Sequence, residues 1–403
     1  MAKAILAKLL IDGTGRDPIP NAVVIIEKGK IQKVSKQELV SLTSNSYEII
    51  DTHDGILLPG LIDSHSHIFH ITNDIYSSGE EEDPANLIRF IRNGLEDARS
   101  YISQGVTTIR NLGTKSNLDL GLRDLITQDK VVGPRIFGSG SPIAMTGRKP
   151  FADNYEVNSA AEARRAARKQ LSKGADVVKL FASAGSIAGG QEQLTIEEMQ
   201  AAVVEFHKAE RTAAAHAIGA ISIKNAVLAG VDSVEHATMI DEEGIVLMKK
   251  HDVGMVPTLA VGRTISNMDS ETATHLGLPE NIAEIAHTSF EEDSRATRMA
   301  HQEGIRIATG TDPVLQDTIA KECAWLHKAG LAPLEVIVAA TRTGAELIHM
   351  DDVLGTIEVG KLADLVIVEN NPLEDLSALE DVSWVFKEGD ALKSPNSQLK
   401  SLI

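Results

Sequence analysis

The middle of the chain, between residues 57 and 312, repeats one local pattern in which a helix ends at a glycine and a short apolar strand follows. Ser159 and Glu162 form a capping-box pattern, which predicts a helix that starts there and ends near Gly174, and Thr195 and Glu198 repeat the pattern before a second helix. The apolar run at residues 175–181 comes next and predicts a buried strand. Repeated units of this kind indicate an α/β fold with a parallel sheet.

The same pattern predicts eight strands, at residues 57–65, 106–109, 135–137, 175–181, 213–216, 231–236, 253–259 and 305–309. Eight is the number of strands that closes a (β/α)8 TIM barrel. A doubly wound open sheet, the competing architecture, would have a glycine-rich phosphate loop after an early strand, and the sequence has none. We therefore predict a (β/α)8 barrel over residues 58–352.

Both ends of the chain have a sequence pattern that differs from that of the middle. Short apolar or β-branched runs alternate with glycine turns at residues 4–34, and the same alternation returns at residues 360–390. We predict that residues 1–57 and 353–403 together form one small β-sandwich-like domain beside the barrel.

The charge and composition of the chain argue against some classes of binding partner. With 39 basic and 57 acidic residues, the formal charge is −18, which repels nucleic-acid phosphates and anionic lipid. The sequence has no secretory signal pattern and no apolar run near the ~20 residues that span a bilayer. Its single cysteine, Cys323, excludes an internal disulfide framework. We expect a cytoplasmic enzyme with a small-molecule substrate and no nucleic-acid or membrane partner.

A His-x-His motif ends the first predicted barrel strand. Because residues i and i+2 of a strand face the same side, His65 and His67 both point into the barrel at the strand's C-terminal end. Neutral imidazoles are good zinc ligands, and two this close can share one ion. A surface His-x-His is the simpler alternative, but the apolar run before Pro59 and Gly60 favours a metal site.

Later strands end in further polar residues. Lys179 lies in the last part of a buried strand, where a lysine needs a partner carboxylate or a chemical modification. Beside two metals, its amine can react with carbon dioxide to form a carbamate that bridges the ions. His216 and His236 end the next two strands, and Asp312 follows the last one. A buried aspartate there needs a metal or a hydrogen-bond network.

This series of residues resembles that of the amidohydrolase superfamily. Within it, the chain looks like the imidazolonepropionase-related and prolidase-like subgroup, which includes carboxypeptidases that release arginine, lysine or proline. The stretches that carry the resemblance are residues 59–63, 110–113, 145–147, 174–179 and 231–237.

The resemblance implies a role for each of the six residues. His65, His67 and Asp312 would hold one divalent ion, and His216 and His236 would hold a second, with zinc as the expected metal. An N6-carboxylated Lys179 and a hydroxide would bridge the two ions. Asp312 would also be the catalytic residue, which takes the proton from the nucleophile and passes it to the leaving amine.

The sequence departs from the subgroup pattern at two places. Relatives usually continue the Thr-Gly motif with Gly-His, whereas this chain continues with Arg148 and Lys149. Relatives often place His or Tyr two positions after the strand-five histidine, whereas this chain has Ile218. These departures fit either a more apolar substrate or polar contacts supplied from elsewhere. Arg148 and Lys149 have two readings of equal weight: binding of a substrate carboxylate and a solvated basic turn.

Three other residues are candidates for substrate contact. His70 and Tyr76 follow the first barrel strand in a loop over the site, and Tyr155 is a weaker candidate. Capping of the loop is the plain alternative for such residues.

Three hypotheses of function follow. The first is a binuclear metal-dependent amide hydrolase, namely a dipeptidase, carboxypeptidase or N-acyl-amino-acid amidohydrolase. The second is a hydrolase of cyclic amides related to imidazolonepropionase or hydantoinase, with lactones and carbamates as a minor branch. The third is a non-catalytic barrel, against which the intact ligand set argues. Assembly into a homo-oligomer is expected from the relatives.

Overall fold

The computed structural model describes residues 2–42, 46–52, 54–69, 84–147, 154–185, 189–275, 278–313 and 317–395. The terminal parts of the chain form one eight-stranded sheet, whose strand order is β17-β16-β15-β5-β1-β2-β3 with β4 paired to β1. Its strands are β1 (Ala2–Leu10), β2 (Ile19–Glu27), β3 (Lys30–Lys36), β4 (Tyr47–Asp51), β5 (Ile56–Pro59), β15 (Leu365–Val368), β16 (Val382–Lys387) and β17 (Asp390–Lys393).

The two faces of this sheet belong to two separate cores. Successive side chains of a strand point to opposite faces. Leu57 and Ile367 therefore pack into a core within the terminal sheet. Their neighbours Leu58 and Val366 pack into the large core that the barrel also lines. The sheet is thus fixed to the barrel by burial of its apolar face.

Within the described residues, the middle of the chain contributes nine further strands: β6 (Leu61–Ser66), β7 (Val106–Asn111), β8 (Arg135–Gly138), β9 (Ile143–Met145), β10 (Tyr155–Val157), β11 (Val177–Phe181), β12 (Thr212–Ala217), β13 (Ser233–His236) and β14 (Gly254–Val256). They form a three-stranded and a six-stranded parallel sheet, of orders β6-β7-β8 and β10-β9-β11-β12-β13-β14.

Backbone hydrogen bonds join the two parallel sheets into a closed barrel. On one side, the Asp176 amide donates to the Gly138 carbonyl at 2.8 Å. On the other, residues 305–312 lie between β14 and β6, where the amides of Met255 and Ser64 donate to the carbonyls of Arg306 and Thr309, each at 2.8 Å. The predicted fold class, a (β/α)8 barrel with a β-rich domain from both termini, is confirmed.

The helices cover the outside of the barrel. They are α1 (Pro84–Ser103), α2 (Leu118–Thr127), α3 (Ala160–Ser172), α4 (Ile196–Lys208), α5 (Ala220–Ala229), α6 (Glu242–His251), α7 (Leu259–Ser266), α8 (Ser270–His275), α9 (Ile282–Gln302), α10 (Ile319–Ala329), α11 (Pro333–Val338) and α12 (Gly344–Leu347). Both predicted caps are present: the side chains of Ser159 and Thr195 accept hydrogen bonds from the amides of Glu162 and Glu198. No helix in these ranges is long and apolar enough to cross a membrane.

Three predicted strands differ from the observed ones. The run at residues 57–65 is two strands, β5 and β6, which lie in different sheets and are separated by Gly60. An added Cβ at Gly60 would lie 2.1 Å from Thr107 Oγ1, so the close packing there requires glycine. The run at 253–259 ends early, because Thr258 has a left-handed backbone (φ 54°) and α7 begins at Leu259. The segment at 305–309 makes only an isolated bridge, between Met255 and Ile307, and is otherwise held by single hydrogen bonds.

Candidate metal centre

The structure brings the six candidate ligands together at the C-terminal ends of the barrel strands. Possible ligand atoms of His65, His67 and Asp312 all lie within 4.8 Å of one another. The ring centroids of His65 and His236 are 5.1 Å apart, and those of His236 and His216 are 4.6 Å apart. Parallel strands that end at one rim of a barrel account for this convergence of residues distant in sequence.

Three of the four histidines have Nδ1 close to a neighbouring oxygen, and the fourth, His216, has a hydrogen bond with the Ala184 backbone. A carboxylate or a carbonyl only accepts hydrogen bonds, so it keeps the proton on Nδ1 and leaves the lone pair of Nε2 free for a metal. The Nδ1 distances are 2.8 Å from His65 to Glu235 Oε2, 3.1 Å from His67 to the Gly113 carbonyl oxygen and 2.8 Å from His236 to Thr258 Oγ1.

The Nε2 atoms of the same three rings face a common centre beside Asp312. Asp312 Oδ1 lies 3.2 Å from His67 Nε2 and 3.8 Å from His65 Nε2, and Oδ2 lies 4.0 Å from His236 Nε2. Burial lowers the pKa of His65 to about 4 and that of His236 to about 3. Both rings are therefore neutral at neutral pH, which is the form that binds a metal.

His216 completes the group from the side of β12. Its ring packs against Phe181, with the centroids 5.2 Å apart. Within the described part of the chain, its buried Nε2 has no hydrogen-bond partner. A buried polar atom without a partner costs free energy, so this nitrogen fits a site that a bound metal would satisfy.

Lys179 lies beside His65 in the same buried cluster. Its side chain is 2% exposed, and its Nζ lies 3.2 Å from His65 Nε2. Among the described residues, no carboxylate lies within ion-pair distance of this amine. Burial lowers its pKa to about 8, although Glu235 and Asp312 act in the opposite direction. A neutral amine is therefore accessible near neutral pH, as carbamate formation requires.

Asp312 is held in place by its backbone. Its amide donates to the His65 carbonyl at 2.8 Å, and its φ of 41° lies in the left-handed region. Burial by itself raises the pKa of this carboxyl, but His65, His67 and His236 outweigh it and hold the pKa well below the usual range. The carboxylate is therefore ionised at neutral pH, which is the form that a metal ligand or a proton acceptor requires.

Glu235, a buried carboxylate that was not predicted as a site residue, supports His65. Burial by itself raises the pKa of Glu235, but Arg110 and His65 hold it well below its usual range. Arg110 Nη2 lies 2.9 Å from Glu235 Oε1, and both side chains are fully buried. Both fall in stretches that carry the family resemblance, Arg110 in residues 110–113 and Glu235 in residues 231–237, and that is the sequence signal that could have found them.

Asp63, a further buried acid, ties the two ends of the barrel together. Its Oδ1 accepts hydrogen bonds from the amides of His65 and Thr311, both at 3.1 Å, and its Oδ2 accepts one from the Thr311 hydroxyl at 2.6 Å. Asp63 therefore fixes the segment that carries Asp312 against the strand that carries the His-x-His motif.

The candidate substrate residues are placed differently. The Tyr155 hydroxyl accepts a hydrogen bond from Lys173 Nζ at 3.0 Å, and Lys169 lies over its ring, so this side chain contacts α3 and not the histidine cluster. Ile218 is buried, and its amide donates to Ser183 Oγ at 2.9 Å. Four candidates lie outside the described residues, namely His70, Tyr76, Arg148 and Lys149.

Comparison with known proteins gives the same family by several routes. The sequence model described as "Amidohydrolase family" matches residues 56–392. The chain is 28% identical to ochratoxinase of Aspergillus niger, over 97% of this chain and 86% of the relative. It is 24% identical to imidazolonepropionase of Fusobacterium nucleatum, over 87% of this chain and 85% of the relative. A crystal structure of a Xaa-Pro dipeptidase with methionine bound in the active site matches with a TM-score of 0.87 and 30% identity, covering 98% of this chain and all of that one.

Proposed function

This chain belongs to the amidohydrolase family and is a hydrolase of carbon–nitrogen bonds, and we propose that it is a metal-dependent dipeptidase or N-acyl-amino-acid amidohydrolase. The observation that carries the proposal is the common orientation of His65, His67 and His236. Each ring has its Nδ1 held by a neighbouring oxygen and its Nε2 directed toward Asp312. Rings held in this way are prepared to bind a metal ion.

We assign the ligands to two divalent ions. His65, His67 and Asp312 would hold one, His216 and His236 would hold the other, and a carbamate on Lys179 would supply a further anionic oxygen ligand. Imidazole and carboxylate donors suit zinc. When bound, the ions would lower the pKa of a coordinated water to about 7 and polarise the scissile carbonyl.

Lys179 must be modified to fill this role. Its neutral amine attacks carbon dioxide, an N–C bond forms and one proton is released, which leaves an anionic carbamate. The depressed pKa of about 8 supplies the neutral amine. The product also replaces a buried cation, which has no carboxylate within ion-pair distance among the described residues, with an anion next to neutral imidazoles.

Asp312 moves the proton in the proposed reaction. Its ionised carboxylate accepts a proton from the attacking water and returns it to the nitrogen of the leaving amine. The hydrogen bond from its amide to the His65 carbonyl keeps the carboxylate beside the centre during both transfers.

Two observations support a substrate with a C-terminal amino acid. The similar Xaa-Pro dipeptidase has methionine bound in its active site. Phe181 packs against the His216 ring, and the buried Ile218 follows His216 by two positions in the sequence. These apolar residues favour an apolar side chain on the substrate. His70, Tyr76, Arg148 and Lys149 remain predicted substrate contacts, and so does Tyr155, whose ring contacts α3.

A second candidate is hydrolysis of a cyclic amide. It is favoured by the imidazolonepropionase relative, whose match covers most of both chains. The same residues would serve, because opening of a lactam or imidazolone ring is also attack of water on an amide.

The test is a library of dipeptides and N-acyl amino acids incubated with the zinc-loaded protein, with free amino acid quantified. We expect release limited to one class of C-terminal residue, most strongly an apolar one. Silence across the library, with both ions confirmed by elemental analysis, would reject the dipeptidase proposal. Lactams and imidazolones in the same assay would then test the second candidate.

A further inference from the structure

Arg110 is the largest fully buried side chain of the described protein, and it has a partner for each of its donor nitrogens. Its Nε donates to the Ser64 carbonyl at 2.6 Å, its Nη1 to Ser233 Oγ at 2.8 Å and its Nη2 to Glu235 Oε1 at 2.9 Å. A guanidinium removed from water is tolerated only when its charge and its donors are satisfied in this way.

Glu235 lies between Arg110 and His65. Its Oε1 accepts from Arg110 and, at 2.5 Å, from the Ser233 hydroxyl, whereas its Oε2 lies 2.8 Å from His65 Nδ1. One carboxylate therefore links a buried cation to a candidate metal ligand. Without Arg110, Glu235 would be a buried anion whose remaining contacts, the Ser233 hydroxyl and the His65 imidazole, are neutral.

The three residues lie on strands that are not all neighbours. His65 and Arg110 belong to β6 and β7 of the three-stranded sheet, whereas Glu235 belongs to β13 of the six-stranded sheet. The ion pair therefore crosses the interior of the barrel and joins the two sheets just behind the ligand rings.

We propose that Arg110 and Glu235 are positioning residues that set the metal affinity of the His65 site. This inference rests on the proposed metal-dependent function. Glu235 fixes the proton of His65 on Nδ1, so that Nε2 carries the lone pair, and it places a fixed negative charge behind the ring. Arg110 holds the Glu235 carboxylate in the orientation that keeps Oε2 at the ring.

The alternative is that the Arg110–Glu235 ion pair only stabilises the barrel and does not affect metal binding. Double variants separate these two roles. Removal of one partner of a buried ion pair is strongly destabilising, whereas removal of both is far less so. R110M and E235M should each lower the melting temperature of the metal-free protein, and R110M/E235M should recover most of it. R110M/E235Q removes the charges but keeps an oxygen that accepts from His65 Nδ1.

The measurement is the dissociation constant for Co²⁺ by titration against a competing chelator, with the visible spectrum of the bound ion and no substrate present. We expect R110M/E235M to bind about 10- to 100-fold more weakly than the wild type. We expect R110M/E235Q to lie between the two, and the Co²⁺ spectrum to change in R110M/E235M. If both double variants recover the melting temperature and also bind Co²⁺ with wild-type affinity, the proposal is overturned.

The control pair is Arg135 and Asp364, which lie 2.5 Å apart between the barrel and the terminal sheet, remote from the ligands. R135M/D364N should change stability and leave Co²⁺ affinity at the wild-type value. If R110M/E235M does not fold, R110K replaces it, because a lysine cannot reach Ser64, Ser233 and Glu235 together; wild-type affinity in R110K would then reject the proposal. A wild-type protein that binds no Co²⁺ or Zn²⁺ would reject the proposed function itself.

Discussion

The two halves of the ligand cluster are supported by different chemistry. Around His65 the supports are buried acids: Glu235, whose pKa is held well below its usual range, lies at Nδ1, and Asp63, whose pKa burial raises to about 7, accepts from the backbone amide of the same residue. Around His216 and His236 the supports are neutral: a threonine hydroxyl at His236, and the Ala184 backbone and an aromatic ring at His216, whose Nε2 has no partner among the described residues. One half of the site is pre-organised by the fixed charge of Glu235, and the other is not.

This difference predicts unequal metal affinities. A ligand already held in its binding tautomer loses little conformational freedom when the ion arrives, so the half with His65, His67 and Asp312 should bind more tightly. The half with His216 and His236 depends more on the bridging group from Lys179. Stepwise chelation should therefore remove the ion of the neutral half first.

The largest expected effect is that of D312N, because Asp312 faces both halves. Loss of the carboxylate removes a metal ligand and the proton acceptor, so kcat/KM on the best dipeptide should fall about 10³- to 10⁴-fold. Steady-state kinetics with metal analysis checks this. The exposed Asp390, which pairs with Lys3 on the terminal sheet, gives the control D390N. Activity within tenfold of the wild type in D312N would contradict the assigned role.

K179A tests the bridge between the halves. Loss of the carbamate should reduce bound metal from two ions to about one and lower kcat/KM about 100- to 1000-fold. The ion that is retained should be that of the His65 half. Acetate or propionate should restore part of the activity by occupying the bridge, and K173A, on the surface near Tyr155, should behave as the wild type. Full activity in K179A, or two retained ions, would show that the lysine does not bridge.

The sequence predicted those features that depend on local pattern. Capping at Ser159 and Thr195 follows from spacing within one helix, and the structure contains both caps. His65, His216 and Asp312 were each predicted at a strand end, and parallel strands bring these ends together at one rim of the barrel, as the structure has them. The metal-binding roles of these residues stay predictions, as do the domain boundaries at 57 and 353.

Features that depend on the register of the closed barrel were not predictable in this way. The contact between Arg110 and Glu235 joins residues 125 positions apart on two different sheets, and no local periodicity encodes that distance. The same holds for residues 305–312, which close the barrel through single hydrogen bonds and contribute no regular strand. The need for glycine at position 60 likewise depends on Thr107, a residue of another strand.

T258V tests the half of the site with neutral supports, because Thr258 contacts Nδ1 of His236. Valine keeps the shape of threonine but cannot hold Nδ1 of His236, so affinity for the more weakly bound ion should fall about tenfold. The tighter ion should be unaffected. Zn²⁺ titration monitored by calorimetry resolves the two events, and T127V, which removes a hydroxyl from the end of α2, is the control. An equal loss at both ions would mean that the two halves are not independent.

The smallest effect is expected outside the barrel, at the N-terminus of α4. Thr195 accepts from the Glu198 amide, and the Glu198 side chain accepts from the Thr195 amide, so both bonds of the capping box are formed. T195A should lower the free energy of unfolding by about 1 kcal/mol, measured from the urea midpoint of the metal-free protein. Metal stoichiometry and affinity should not change, because the cap lies outside the contacts that orient the ligand rings. A change in affinity here would show that the ligand geometry depends on general barrel stability, and the contrast between the charged and neutral halves would lose its basis.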